Sequence, residues 1–187
     1  MQELEEIYDE HVWRVYAFFA YRLGDRDAAE DLTQATFERA VRAFRRYDAR
    51  KGSHQTWLMA IASNLLIDHF RRRASNPTRP LEQEDVDNLP AAPAPDLSLG
   101  LDPELAAALA ILGEREREIV ALRYGGDLTG PQIAELKGLS LANVQQILSR
   151  SLRQMRVALQ ESHAELSEQR PAPAGRLPDG APRARRR

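Results

Sequence analysis

The placement of proline constrains this chain more than any other feature. No proline precedes Pro77; Pro77, Pro80, Pro90, Pro93, Pro95 and Pro103 then follow, Pro131 stands alone, and Pro171, Pro173, Pro178 and Pro182 lie near the end. Inside a helix, proline removes a backbone hydrogen bond and clashes with the preceding turn, so clustered prolines mark where helices cannot run. No segment shows a convincing strand period. The pattern predicts an all-α protein of two small helical domains, residues 1–73 and 104–166, joined by a flexible Pro/Ala linker over 74–103. Residues 167–187 read as a disordered tail. The linker sets Arg79 against Glu82, Glu84, Asp85, Asp87, Asp96 and Asp102, so it is acidic, whereas the tail ends in Arg183, Arg185, Arg186 and Arg187 and is basic.

Composition excludes several function classes. A formal net charge of −2 over 187 residues argues against a generally basic nucleic-acid coat. With no cysteine there is neither disulfide nor thiolate chemistry. No apolar run approaches the roughly 20 residues that a membrane span needs, and the N-terminus lacks a signal-peptide layout. A cytoplasmic protein without membrane insertion is expected. His11, His54, His69 and His163 form no ligand-spaced set, and neither Lys51-Gly52-Ser53 nor Gly125-Gly126 sits in a phosphate-loop pattern. No nucleophile–base pair suggests itself, so no enzyme activity, cofactor or metal is expected.

The first domain is organised around Thr56–Arg73, TWLMAIASNLLIDHFRRR. At about 100° per residue, Trp57, Leu58, Ile61, Ala62, Leu65, Leu66 and Phe70 fill one apolar arc. Asn64, Asp68 and Arg71 recur at i, i+4, i+7 and make a polar stripe beside Trp57. Arg71, Arg72 and Arg73 close the helix, where cations suit the negative end of its dipole. Upstream, Leu4, Ile7, Tyr8, Val12, Val15, Tyr16, Phe19 and Leu23 follow helical spacing until Gly24. Asp27-x-x-Glu30 resembles a capping box opening a second helix. Its apolar arc holds Ala28, Leu32, Ala35, Ala40, Ala43 and Phe44, and Asp31, Gln34, Glu38, Arg42 and Arg45 lie opposite.

In the second domain, Leu105, Leu109 and Leu112 begin one helix and Glu114–Arg123 a second. Thr129-Gly130-Pro131-Gln132 opens a third with a threonine cap, an early proline and a capping-box glutamine. Lys137-Gly138-Leu139-Ser140 makes a tight turn, and Ser140 caps a fourth helix with Val144, Leu148, Leu152 and Met155. Two short helices across a glycine turn are the sequence form of a helix-turn-helix. An ordinary helical hairpin shares part of that pattern.

Together the two domains resemble the small extracytoplasmic-function sigma factors of bacterial RNA polymerase, in the sigma-70 family. Ala29-Glu30-Asp31-Leu32-Thr33-Gln34-Ala35-Thr36-Phe37 resembles the polymerase-binding helix of that family's region 2. Gly52-Ser53-x-x-Thr56-Trp57-Leu58-x-x-Ile61-Ala62-x-Asn64-x-x-x-Asp68-x-x-Arg71 resembles its promoter −10 segment. Leu112, Arg117, Glu118, Leu122-Arg123-Tyr124, Ile133-Ala134, Gly138, Ser140 and Val144 match region 4, which binds the −35 element. The resemblance implies two helical domains, a region 2-like bundle and a region 4-like helix-turn-helix, that direct promoter recognition, melting and transcription initiation.

The same resemblance implies the site residues. Asp31, Gln34 and Glu38 would dock on core polymerase. Trp57, Asn64, Asp68, Arg71 and Arg72 would meet the −10 element, with Asn64 reading a base flipped from the stack. Asn143, Gln145, Gln146, Ile147, Arg150 and Arg153 would meet −35 DNA. Implied partners are the clamp of the largest core subunit, the flap of the second subunit, promoter DNA and an anti-sigma protein. A stand-alone helix-turn-helix regulator is the rival reading, but it leaves the first domain unexplained. Two departures are notable. His54 stands where the family commonly has an aromatic, and Gln145, Gln146 and Ile147 replace more basic or small polar residues. For Ile147 the spacing leaves two placements open, toward DNA or toward the core. Elements about 20 base pairs apart lie about 70 Å apart along duplex. A coil over Ala74–Pro103 spans only about 30 Å, whereas its fully extended polyproline form reaches about 90 Å.

Overall fold

The computed structural model describes residues 2–74 and 102–168, with side chains over 3–73 and 102–160. All regular structure among the described residues is helical. The expected linker falls almost wholly, and the expected tail largely, outside the described residues.

Helix α1, Gln2–Leu23, ends where Gly24 takes a left-handed conformation (φ 65°), which a residue without Cβ adopts freely. Helix α2, Arg26–Ala43, begins at Asp25 rather than at the expected Asp27. The Asp25 carboxylate accepts the Ala28 N–H at 3.1 Å, and Asp27 lies inside the first turn. A 3₁₀ turn, Phe44–Arg46, leads to the loop before α3, His54–Ala74. In the second half, α4 spans Pro103–Ala110, α5 Glu114–Val120, α6 Gly130–Lys137 and α7 Leu141–Glu168. The expected helix over Glu114–Arg123 changes character at its end: Ala121–Gly125 forms a π-helical turn. Thr129 and Gln132 close the expected capping box, with the Thr129 N–H donating to Gln132 Oε1 at 2.8 Å. Gly138 (φ 63°) makes the turn into α7, and Ser140 Oγ accepts the Asn143 N–H at 3.2 Å.

The inward faces differ from the apolar arcs in instructive places. In α2 the buried stripe is Ala29, Thr33, Thr36 and Ala40. Small side chains let α2 approach its neighbours closely. Each threonine hydroxyl donates back to the carbonyl four residues earlier, Thr33 to Ala29 and Thr36 to Leu32, both at 2.7 Å. Thus neither is buried unsatisfied. In α7 the buried positions are Val144, Ile147, Ser151 and Met155. Leu152, expected inside, is 39% exposed.

The two halves are packed together rather than merely tethered. One continuous core joins Val15, Phe18, Phe19, Met59 and Leu66 of the first half to Ile119, Leu122, Leu128 and Ile133 of the second. A smaller cluster of Leu109, Leu112, Val120 and Met155 packs against Tyr21 of α1. Helix α1 is therefore sandwiched, which explains why Ala20 is buried although it lies off the sequence-read stripe, and why Arg22, within that stripe, is buried despite its charge.

Candidate nucleic-acid interface

Helix α3 presents the expected stripe to solvent. Asn64 is exposed, and so are Arg71 and Arg72; Asp68 is half-buried and pairs with Arg39 of α2 at 3.5 Å. The inward side of α3 is made by Leu58, Met59, Ala62, Ser63, Leu65 and Leu66, which aims Asn64 outward. An exposed carboxamide offers donors and an acceptor on one planar group. It can pair with a base edge once that edge is free.

Trp57 is half-buried and belongs to an aromatic group at the start of α3. Its ring lies 5.1 Å from Tyr47 and 6.3 Å from Phe44, and His54 lies 4.4 Å from Tyr47. Tyr47 also donates its hydroxyl to the Gly52 carbonyl at 2.9 Å, fixing the loop ahead of α3. His54 joins this group with its ring tilted 33° to that of Tyr47. Partly covered rings of this kind are suited to base stacking, worth about 1–3 kcal/mol per base.

Asp31, Gln34 and Glu38 are all exposed on one side of α2. Gln34 donates to Glu38 at 3.3 Å, and Arg42 reaches the same carboxylate at 3.4 Å. Gln34 and Glu38 border an open groove between α1 and α2, floored by Tyr8, Trp13 and Phe37. Trp13, 74% exposed, was missed by the sequence reading because it falls off the apolar period of α1. Its isolation on the polar side was the available signal.

In the second half, Gln145, Gln146, Arg150 and Arg153 are exposed and Asn143 is half-buried. Arg150 is held by Glu116 at 2.5 Å. Ile147 is a correction to the expected DNA-facing set: at 6% exposure its side chain belongs to the core. It lies three residues after Val144 and four before Ser151, on the inward side of α7. Among the described residues, no three His, Cys, Asp or Glu side chains group as a metal set, and no helix is long and apolar enough to cross a membrane.

The contact between halves engages the beginning of α3. Gln55 Nε2 donates to the main-chain oxygens of Gly126 (2.7 Å) and Asp127 (3.0 Å). Gln132 Nε2 donates to Thr56 Oγ1 at 3.2 Å, and Arg14 faces Asp127 at 3.6 Å. Arg22, buried at the end of α1, is hydrogen-bonded to Glu114 and lies over the Phe70 ring at 4.8 Å. The same Glu114 lies 3.9 Å from Arg117. Arg117 is otherwise held by the carbonyls of Leu109, Ala110 and Leu112, and burial lowers its pKa below the ordinary arginine value.

Comparison with known proteins assigns both halves. The family model for Sigma-70 region 2 matches residues 7–76, and that for Sigma-70 region 4 matches residues 108–157. The chain is 35% identical over 175 residues to the ECF RNA polymerase sigma factor SigE of Mycolicibacterium smegmatis, covering 90% of this chain and 66% of that protein. It is 31% identical over 164 residues to SigL of Mycobacterium tuberculosis, covering 84% and 89% respectively. BldN of Streptomyces coelicolor is 29% identical over 149 residues, covering 79% of this chain and 56% of BldN. The chain thus spans about two thirds or less of SigE and BldN, but most of SigL. The fold is shared with the sigma factor RpoE of Bartonella quintana, solved with the anti-sigma factor NepR (TM-score 0.67, 19% identity, 86% of this chain and 98% of that one). A stand-alone helix-turn-helix regulator is not favoured, because the first half has its own sigma match. With region 2 and region 4 both matched, in chain order, this chain belongs to the ECF sigma factors of the sigma-70 family.

Proposed function

We propose that this protein gives bacterial RNA polymerase its promoter specificity. It binds the core enzyme through α2, reads and opens the −10 element with α3, and holds the −35 element with the helix-turn-helix. The observation that carries this reading is the outward Asn64 on a helix whose back is fully buried, beside the Trp57 aromatic group. A carboxamide there can capture an extruded base, and the basic end of α3 can hold phosphates, which position DNA without specifying sequence. The clamp of the largest subunit would meet Asp31, Gln34 and Glu38, and the flap of the second subunit would meet the second half. An anti-sigma protein is proposed as a further partner, as in the Bartonella complex. In this reading the protein works in the cytoplasm and carries no catalytic group of its own.

Run-off transcription with purified core polymerase on a promoter library tests the reading directly. Promoter-specific initiation is expected only when the protein is added. Replacing Asp31 and Gln34 with alanine should weaken competition for core without loss of helix content, because both side chains are exposed. Asn64→Ala should relax preference at one −10 position by about 1–3 kcal/mol while the melting temperature hardly moves. A library that yields no protein-dependent start would sink the proposal.

A further inference from the structure

We infer that the arginine- and proline-rich stretch after α7, residues 169–187, docks in the open groove between α1 and α2 of its own chain. The groove holds about 820 Å³, and none of its lining residues comes from across the seam between the halves. Tyr8, Trp13, Tyr16, Phe37 and Val41 give it an aromatic and apolar lining. The rings are braced: Tyr8 meets Phe37 edge-on at 4.8 Å, one helix against the other, and Trp13 meets Tyr16 at 6.1 Å. Yet Tyr8, Trp13 and Val41 are 48%, 74% and 58% exposed. Large apolar side chains left open side by side mark a surface that something covers.

Charge selects the occupant. Glu30 and Glu38 border the groove, and exposed Glu5 and Asp9 share the groove side of α1, at helical spacing from Tyr8 and Trp13. Arg26, the one cation among the lining residues, is paired with Glu30 at 2.7 Å. Residues 169–187 carry six arginines against the single Asp179, and Pro171, Pro173, Pro178 and Pro182 besides. Aromatic grooves take proline-rich segments because the fixed φ of proline lowers the entropy lost on binding. Guanidinium groups add attraction to an indole face. The proline-rich stretch before α4 is acidic, of the same sign as the rim, and is repelled. Reach is sufficient. Leu159 of α7 belongs to the cluster that packs on Tyr21 of α1, about 12 Å along that helix from Trp13. Glu168 ends α7 about 14 Å further on. The residues after it extend to about 60 Å, beyond the roughly 40 Å width of a packed unit this size.

The occupied groove shares Gln34 and Glu38 with the face proposed to meet core polymerase, so the docked segment and core contend for α2. That consequence rests on the promoter-recognition reading; the docking itself does not. The test uses the full chain, which has no cysteine, so Ala184→Cys can carry a single nitroxide. The chain has two tryptophans, and Trp57→Phe assigns their indole N–H signals by NMR. The Trp13 signal should lose most of its intensity and regain it when the nitroxide is reduced. Val41→Arg puts a cation into the groove at an exposed position, so the broadening should vanish while helix content holds. A Trp13 signal indifferent to the nitroxide, or broadening that persists in Val41→Arg, overturns the docking. So does broadening that appears when isotope-labelled protein without nitroxide is mixed with nitroxide-bearing protein, since the occupant is then a second copy. Changing Arg183, Arg185, Arg186 and Arg187 to serine together should improve competition for core about tenfold if the groove is filled nine-tenths of the time. Unchanged competition beside a docked segment overturns the contention alone. A docked segment in a protein that never engages core overturns the promoter reading and leaves the docking standing.

Discussion

Ile147 shows how one position can carry opposite meanings. Its carbon side chain is buried beside Val144, so truncation to alanine should cost about 2–5 kcal/mol. Ile147→Arg forces an unpaired charge into that space and should abolish the cooperative melt. Gln146, one residue earlier and exposed, is where a new cation should help: Gln146→Arg is expected to steepen the salt dependence of −35 binding by about 0.9 in log–log slope. Titration by filter binding against salt, beside a thermal melt of each variant, checks both. The spacing Val144–Ile147–Leu148 allowed either placement, because isoleucine and leucine side by side give no phase. The deciding neighbour, buried Ser151, is polar and carried no hydrophobic signal. His11 adds a pH dependence. Burial, ahead of the opposing Glu10 and the reinforcing Arg14 and His54, holds its imidazole below the ordinary 6.5. The unfolded chain therefore binds the proton first. Its stabilising contribution is complete above about pH 6.5 and is lost as pH falls toward the folded-state value. His69, lowered by burial and by Arg73, acts in the same direction. Melting temperatures between about pH 7.5 and 5.5 should fall with acid, and His11→Leu should flatten part of that fall.

Helix starts and stops were the most legible elements, because caps are local chemistry. Gly24, Thr129, Gln132, Gly138 and Ser140 all act where the residue types say they should. The start of α2 shows the limit. Asp25 and Asp27 both qualify as caps, and only backbone conformation separates them: Asp25 is extended and accepts from Ala28. Asp25→Ala should cost about 1 kcal/mol of stability, whereas Asp27→Ala should cost only a few tenths through the helix dipole. Denaturant melts of the two variants, compared at constant m-value, distinguish the roles. The α2 interior was less legible. Thr33 and Thr36 read as polar, but back-bonding satisfies both hydroxyls and makes them small core residues. The outward stripe of α3 was readable because its apolar arc is wide and unbroken. The site residues expected there, Asn64, Asp68, Arg71 and Arg72, do share one side of the helix or its exposed end.

At the scale of the whole molecule, a core shared between halves predicts shared unfolding. Calorimetry of the wild type should give one transition whose van't Hoff and calorimetric enthalpies agree; Gly125→Ala should resolve two. None of this was legible in the sequence. Proline spacing separates the halves along the chain but is silent on whether they touch in space. The seam is built from residues with no periodic signature: two glycines, a glutamine, and an arginine inside an otherwise apolar arc.

The hold of Gln55 on main-chain oxygens has a consequence for how this seam can drift over generations. Every amino acid supplies a carbonyl, so the two acceptors ask nothing of a side chain, and the left-handed backbone of Asp127 (φ 53°) limits its replacements to residues such as glycine and asparagine. The inheritance of closure is therefore lopsided. For this hold the first half must keep a long carboxamide at a single site, whereas the second need keep only its loop path and the smallness of Gly125 and Gly126; the Arg22–Glu114 and Thr56–Gln132 contacts ask for a particular side chain from each half. Recombined proteins that pair this first half with a second half from a distant relative should keep the halves packed when that loop retains its glycines and the positions of Glu114 and Gln132 keep their side chains.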